Sequence, residues 1–170
     1  MKRASEYTLF IVVVLAVQIL LLNNLTFSTY LAPLAYIVCL ILTPLGTSPL
    51  KMIFIGLALG VTMDLTMGTM GLNVLATLPM AYFRRQLLHF VASYTDVANE
   101  TGVPSVRRIS RFHNYVVAMV VIHSLIFFAF EHMTTANFGF IFLRFLCSTT
   151  VTVGLVYFFI AIFTPKLTRR

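Results

Sequence analysis

Three charged side chains lie inside long apolar stretches of this sequence: Asp64, Glu131 and Arg144. At the centre of a lipid bilayer each would cost on the order of 2.5–3.5 kcal/mol on insertion scales, so each needs a partner or a task. One guanidinium can bridge two carboxylates through its planar fork of donors. Arg144 is therefore expected to pair with Asp64, with Glu131 or with both, in a buried contact that fixes helix register. The functional rival is a proton or ion relay through the same groups. His123 would add a titratable ring to it, eight residues before Glu131 on a similar helix face.

Other chemistry is missing. There is no HExxH, GxSxG or P-loop, and Cys39 and Cys147 lack metal-ligand spacing to another cysteine. A single mid-helix aspartate cannot supply a two-metal site. No catalytic residue, metal or cofactor is expected, and the chain reads as a non-enzyme. The sequons at Asn24-Leu25-Thr26 and Asn99-Glu100-Thr101 are taken as chance matches.

The elements that must hold the charged groups are set by composition. Of 170 residues, 59% are hydrophobic and 10% charged, against about 25% charged in a soluble domain. That balance defines an integral membrane protein. The net charge of +7 arises from 12 Lys/Arg against 5 Asp/Glu. These basic residues flank apolar segments, as insertion topology requires, so nucleic acid is excluded as a partner.

Residues 7–50 carry no charge, too long a stretch for one span, and Asn23-Asn24-Leu25-Thr26 offers a reversal within it. The first apolar run ends there without a small-x-small site, so it is read as a retained span and not a cleaved leader. Breakers and polar groups at Thr43–Pro49 and at Gly68–Gly71 mark two further turns. An all-α, six-helix bundle in one domain over 1–170 follows, with helices at about 7–22, 31–45, 50–67, 72–88, 112–130 and 138–164. Pro33 sits in a tolerated first turn, Pro79 is expected to kink the fourth helix, and Pro165 with Lys166 to stop the sixth.

Six crossings put both termini on one side, together with Lys2, Arg3, Lys51, Arg84, Arg85, Arg107, Arg108, Arg111, Lys166, Arg169 and Arg170. The positive-inside rule makes that side the cytoplasm. Only Arg144 falls elsewhere, within the sixth helix. A cytoplasmic basic loop is expected over about 89–111, flanked by Arg84 and Arg85 and carrying Arg107, Arg108 and Arg111. It is topogenic first, and able to bind anionic lipid headgroups or a cytoplasmic protein second. Asp64 lies thirteen residues beyond Lys51, roughly 20 Å along its helix, and so in the outer half with Glu131 and Arg144.

Gly56, Gly60, Asp64 and Gly68 follow one another at four-residue steps, a narrow stripe that lets another backbone approach. With Gly71 they are candidates for a helix-packing or partner interface; spacing does not say which. Ser148, Thr149, Thr150 and Thr152 are expected to bond within the interior, mainly to their own helix carbonyls.

The run Gly56-Leu-Ala-Leu-Gly60-Val-Thr-Met-Asp64-Leu-Thr-Met-Gly68-Thr-Met-Gly71 resembles the rod shape-determining protein MreD family of bacterial cell-wall elongation. Support comes from Leu21-Leu22-Asn23-Asn24 closing the first helix, Pro33, Pro104 in the basic loop, the stretch from His123 to Glu131, and Arg144. The likeness covers essentially the whole chain. It departs from the family in the Met- and Thr-rich middle of the glycine block and in a long cytoplasmic loop. The resemblance implies a non-catalytic scaffold in the bacterial inner membrane that supports peptidoglycan synthesis and controls cell shape. Its expected partner is the bitopic periplasmic protein MreC, with MreB, RodA and a class B penicillin-binding protein in the wider complex. It also implies a fold similar to the six-helix substrate-binding subunits of energy-coupling-factor transporters. A small-solute-binding transporter subunit is the alternative, disfavoured because no Ala-x-x-x-Ala stripe occurs in the chain.

Overall fold

The computed structural model describes residues 2–24, 31–91, 103–104, 109, 111–132 and 138–168. All secondary structure among them is helical: α1 Lys2–Leu20, a short α2 Val38–Ile41 entered through a 3-10 turn at Ala35–Ile37, α3 Pro49–Met67, α4 Leu72–Val91, α5 Phe112–His132 and α6 Phe138–Thr168. Among the described residues four stretches are long and apolar enough to cross a membrane: Glu6–Asn24, Pro49–Met67, Phe112–Glu131 and Phe138–Thr164. Large apolar side chains such as Leu9, Phe54, Leu65, Phe90 and Phe158 point outward, a surface suited to lipid and not to water.

Each long helix ends for a local reason. The Asn24 side chain donates to the carbonyls of Ile19 at 2.9 Å and Leu20 at 3.3 Å, satisfying two orphan acceptors at the end of α1. Pro49 opens α3, where its missing N–H is not needed. Gly68 closes α3 in the left-handed region at φ 66°, and the Thr69 N–H donates back to the Asp64 carbonyl at 3.2 Å. Helix α4 continues through Pro79, which has no N–H to donate to the Leu75 carbonyl. The expected stop at Pro165 does not occur, since α6 continues to Thr168. So near a helix end the proline removes only one bond, that to the carbonyl four residues back.

The expected helix at 31–45 is corrected. Only seven of its residues are helical, Ala35–Ile41, and residues 34–42 are all buried to 1% exposure or less. A lipid-facing helix would show one exposed stripe; this segment has none and lies in the middle of the bundle. Its non-helical start is stabilised by other elements. The Ala32 N–H donates to Ser148 Oγ at 2.9 Å, the Leu34 N–H to Thr152 Oγ1 at 3.1 Å, and Gln18 Nε2 to the Pro33 carbonyl at 2.9 Å. Irregular backbone at membrane depth is tolerated when protein encloses it in this way. Ser148 and Thr152 therefore serve a neighbouring segment, whereas Thr150 bonds its own helix at the Leu146 carbonyl, 2.8 Å away.

The segment runs antiparallel to α1. It meets Gln18 at Pro33, and Tyr7 at the Cys39 carbonyl (2.7 Å) and the Thr43 hydroxyl. Eleven residues of α1 separate these contacts, roughly 16 Å of depth. Around it, α3 packs chiefly on α4, α4 on α5 and α5 on α6.

Contacts also sort the helix ends. Tyr7 meets Thr43, Thr43 meets Arg84, Arg84 meets Met52, Phe10 stacks near Phe163, and His113 lies beside Tyr157. The beginnings of α1, α3 and α5 and the ends of α4 and α6 thus share one pole of the bundle. Lys51, Arg84, Arg85 and Arg111 lie at that pole.

Candidate functional site

The three charged groups singled out above fall into two separate sites. Asp64, near the end of α3, is tied to the start of α4. Its Oδ1 accepts the Thr69 hydroxyl at 2.5 Å, the Asn73 backbone N–H at 2.9 Å and Asn73 Nδ2 at 3.2 Å; its Oδ2 accepts the Val74 N–H at 2.9 Å. The tight Gly68–Gly71 reversal delivers the unsatisfied first-turn amides of α4 directly to the carboxylate. These amides carry the partial positive charge of the helix dipole, so a cation is not required to hold Asp64. Of the pairings expected for Arg144, that with Asp64 is not formed among the described residues.

Among the described residues Arg144 forms its ion pair with Glu131. Its guanidinium Nη1 lies 2.9 Å from Glu131 Oε1, and its Cζ is 5.8 Å from the Phe128 ring centroid. Side-chain exposures of 26% and 19% make this a half-buried pair, linking the end of α5 to the first turns of α6. The ring adds a cation–π contact to the ion pair.

Asp64 is also the outer end of a polar chain that enters the core. Asn73 Nδ2 donates to Thr69 Oγ1 at 2.7 Å, and Asn73 Oδ1 accepts the Tyr36 hydroxyl at 2.9 Å. The same hydroxyl lies 3.0 Å from Thr77 Oγ1 and 3.0 Å from His123 Nε2. Tyr36, Asn73, Thr77 and His123 are all completely buried. The Tyr36 and His123 rings meet edge-on at 5.4 Å between centroids. His123 thus belongs to the Asp64 chain and not to the Glu131–Arg144 pair. Side chains from α4 and α5 converge on Tyr36, which makes the network a lock on the central segment.

The glycines divide by position. A Cβ on Gly56 would lie 2.6 Å from the Ala81 Cβ, and one on Gly60 would lie 2.7 Å from the Val74 Cα. Both therefore serve close packing of α3 on α4, inside the bundle. Gly68 and Gly71 do not pack against anything: no atom lies within 4 Å of a Cβ added to either, and their φ angles are 66° and 99°. They are turn glycines and, within the bundle, not helix-packing ones.

The basic set is also redistributed. Arg84 and Arg85 are not flanks of a loop but residues within α4, which extends to Val91. Arg84 sits on the buried stripe Asn73, Thr77, Met80, Arg84, Leu88, and its Nη2 donates to the Thr43 carbonyl at 2.5 Å while Nη1 approaches Met52 Sδ at 3.3 Å. Arg85 is exposed, and Arg111 is an exposed positive-φ residue immediately before α5. Arg107 and Arg108 lie outside the described residues.

Tyr36, Asn73 and Thr77 are absent from the expected site residues, and Arg84, expected with the basic loop, faces inward. The last three carried a signal, since Asn73, Thr77 and Arg84 fall at i, i+4 and i+11 and so share one helix face. Tyr36 carried none beyond being a phenol in an apolar run.

The class that fold and polar core define is an all-helical protein with several membrane-length apolar helices, closed around a buried central segment. No protein-family model matches the chain, and no curated protein or solved structure does either.

Proposed function

We propose that the chain is a non-catalytic scaffold subunit of the bacterial cell-wall elongation complex, of the MreD type, which binds MreC and supports peptidoglycan synthesis and cell shape. The observation that carries this reading is the Gly56–Gly71 block, whose resemblance to that family is the most specific in the chain. Every distinctive residue of the block has a structural task in the α3–α4 hairpin: Gly56 and Gly60 admit α4, Gly68 and Gly71 reverse the chain, and Asp64 ties the turn. A motif devoted to rigidity suits a scaffold better than a catalyst.

In this reading the chain crosses the inner membrane six times, with α4 and the central segment counted as crossings and both termini in the cytoplasm. Gathering of Lys51, Arg84, Arg85 and Arg111 at one pole supports that orientation, because positive charge is retained on the cytoplasmic side. At twenty residues, α4 is roughly 30 Å long, enough to span the hydrocarbon core despite its arginines. MreB, RodA and a class B penicillin-binding protein complete the proposed assembly.

The test is replacement in a rod-shaped bacterium whose resident MreD is repressed. A tagged copy of this chain is expected to restore rods and to co-purify MreC from solubilised membranes. Spherical cells with normal membrane levels of the chain and no MreC in the eluate would refute the assignment.

A further inference from the structure

Arg84 is 3% exposed, and among the described residues no carboxylate pairs with it. Of its five N–H donors, one meets the Thr43 carbonyl and one a thioether sulfur, a weak acceptor. Thr43 lies just beyond the C-terminus of α2, whose dipole offers at most about half a negative charge. A full positive charge enclosed this far is left without a full counter-charge.

Beside it is a cavity of about 190 Å³ lined by Thr47, Met52, Tyr82, Arg84 and Arg85, among others. Tyr82 also borders an open apolar groove on the outer face of the α3–α4 hairpin, formed with Ile53, Leu75, Leu78, Pro79 and Phe83 and reaching Gly71. From Tyr82 to Gly71 is eleven residues, roughly 16 Å along the helix axis, which matches one leaflet of a bilayer about 30 Å thick. A basic cavity and an apolar track one leaflet long thus meet at a shared wall residue, Tyr82.

We infer that this cavity and groove bind one anionic phospholipid, its phosphate between Arg84 and Arg85 and an acyl chain along the groove. The phosphate supplies the anion that Arg84 lacks, and basic pockets between membrane helices are suited to such headgroups. The inference rests on a membrane-embedded bundle with its basic pole at a leaflet surface; it does not depend on the wall-elongation assignment.

Native mass spectrometry of the full chain, released from micelles holding equal phosphatidylglycerol and phosphatidylcholine, tests it. One phosphatidylglycerol per chain is expected to survive, in preference to phosphatidylcholine. Arg85→Gln, an exposed change, is expected to weaken retention about fivefold, and Thr47→Trp to abolish it by filling the mouth. Millimolar inorganic phosphate is expected neither to displace the lipid nor to raise the melting temperature of lipid-free protein. Equal retention of both lipids, or unchanged retention in Arg85→Gln, overturns the site. Displacement and stabilisation by inorganic phosphate overturn the lipid as occupant and assign the site to a soluble phosphate.

Discussion

Replacing Asp64 separates a carboxylate that ties a helix start from one that pairs with an arginine. Asp64→Asn keeps the side-chain shape and one acceptor oxygen but removes the charge facing the first turn of α4. The lost charge–dipole interaction contributes about 1 kcal/mol for a half-buried group. Asp64→Ala also leaves the Asn73 and Val74 amides and the Thr69 hydroxyl without their carboxylate acceptor. Loss of an N-cap acceptor costs about 0.5–2 kcal/mol, and the further unmet donors raise the total to about 3 kcal/mol. Equilibrium unfolding of the purified chain in mixed SDS and non-ionic detergent micelles, followed by circular dichroism, gives both values. Because Arg144 and Asp64 share no partner among the described residues, the double mutant Asp64→Ala with Arg144→Gln should be additive within about 0.5 kcal/mol. The reciprocal swap Asp64→Arg with Arg144→Asp should rescue nothing. A coupling above about 1 kcal/mol, or Asn as damaging as Ala, would refute the capping role.

Four further outcomes follow from the geometry. A double-mutant cycle between Glu131→Gln and Arg144→Gln in the same unfolding assay should give about 1 kcal/mol of coupling, more than an exposed pair and less than a fully buried one. Gly60→Leu should prevent accumulation of folded protein, measured as the monodisperse fraction after solubilisation, because its Cβ alone meets the Val74 backbone at 2.7 Å. Gly68→Ala, with open space around it but φ 66°, should cost only about 1–2 kcal/mol of backbone strain. Tyr36→Phe should cost about 2 kcal/mol, since it leaves buried Asn73 and His123 short of a partner while preserving volume.

What could be read from the sequence follows from which signals are local. The ends of α3, the Gly68–Gly71 reversal, the α5 boundaries and the start of α6 come from glycine, proline and uninterrupted apolar runs, all short-range properties. The central segment was misjudged because Leu31–Leu45 has the composition of a span. Its fate is decided by Ser148 and Thr152, more than a hundred residues away, which accept its backbone N–H groups and relieve it of the need to be helical. The charged residues show the same division. That Asp64, Glu131 and Arg144 needed partners was evident from desolvation, but two carboxylates competed for one arginine, and composition does not rank them. The deciding donors for Asp64 are main-chain amides, which no residue type advertises.

The buried segment also bears on the choice between a scaffold and a solute-binding subunit. A small-molecule site between helices needs a concave space of about 300–1,000 Å³. In this bundle the centre is occupied by Leu34–Leu42, fully buried and held by Ser148, Thr152, Gln18 and the Tyr36 cluster. A central ligand would have to expel that segment and break at least five hydrogen bonds, at about 1 kcal/mol net each. About 5 kcal/mol of reorganisation weakens apparent affinity several-thousand-fold, turning a micromolar site into a millimolar one. Transport at trace solute concentrations does not tolerate that loss, whereas a scaffold gains from it: the same bonds that exclude a solute hold the outer faces of α3 and α4 in one fixed arrangement. The filled centre therefore favours a protein whose surface, and not its interior, meets other molecules.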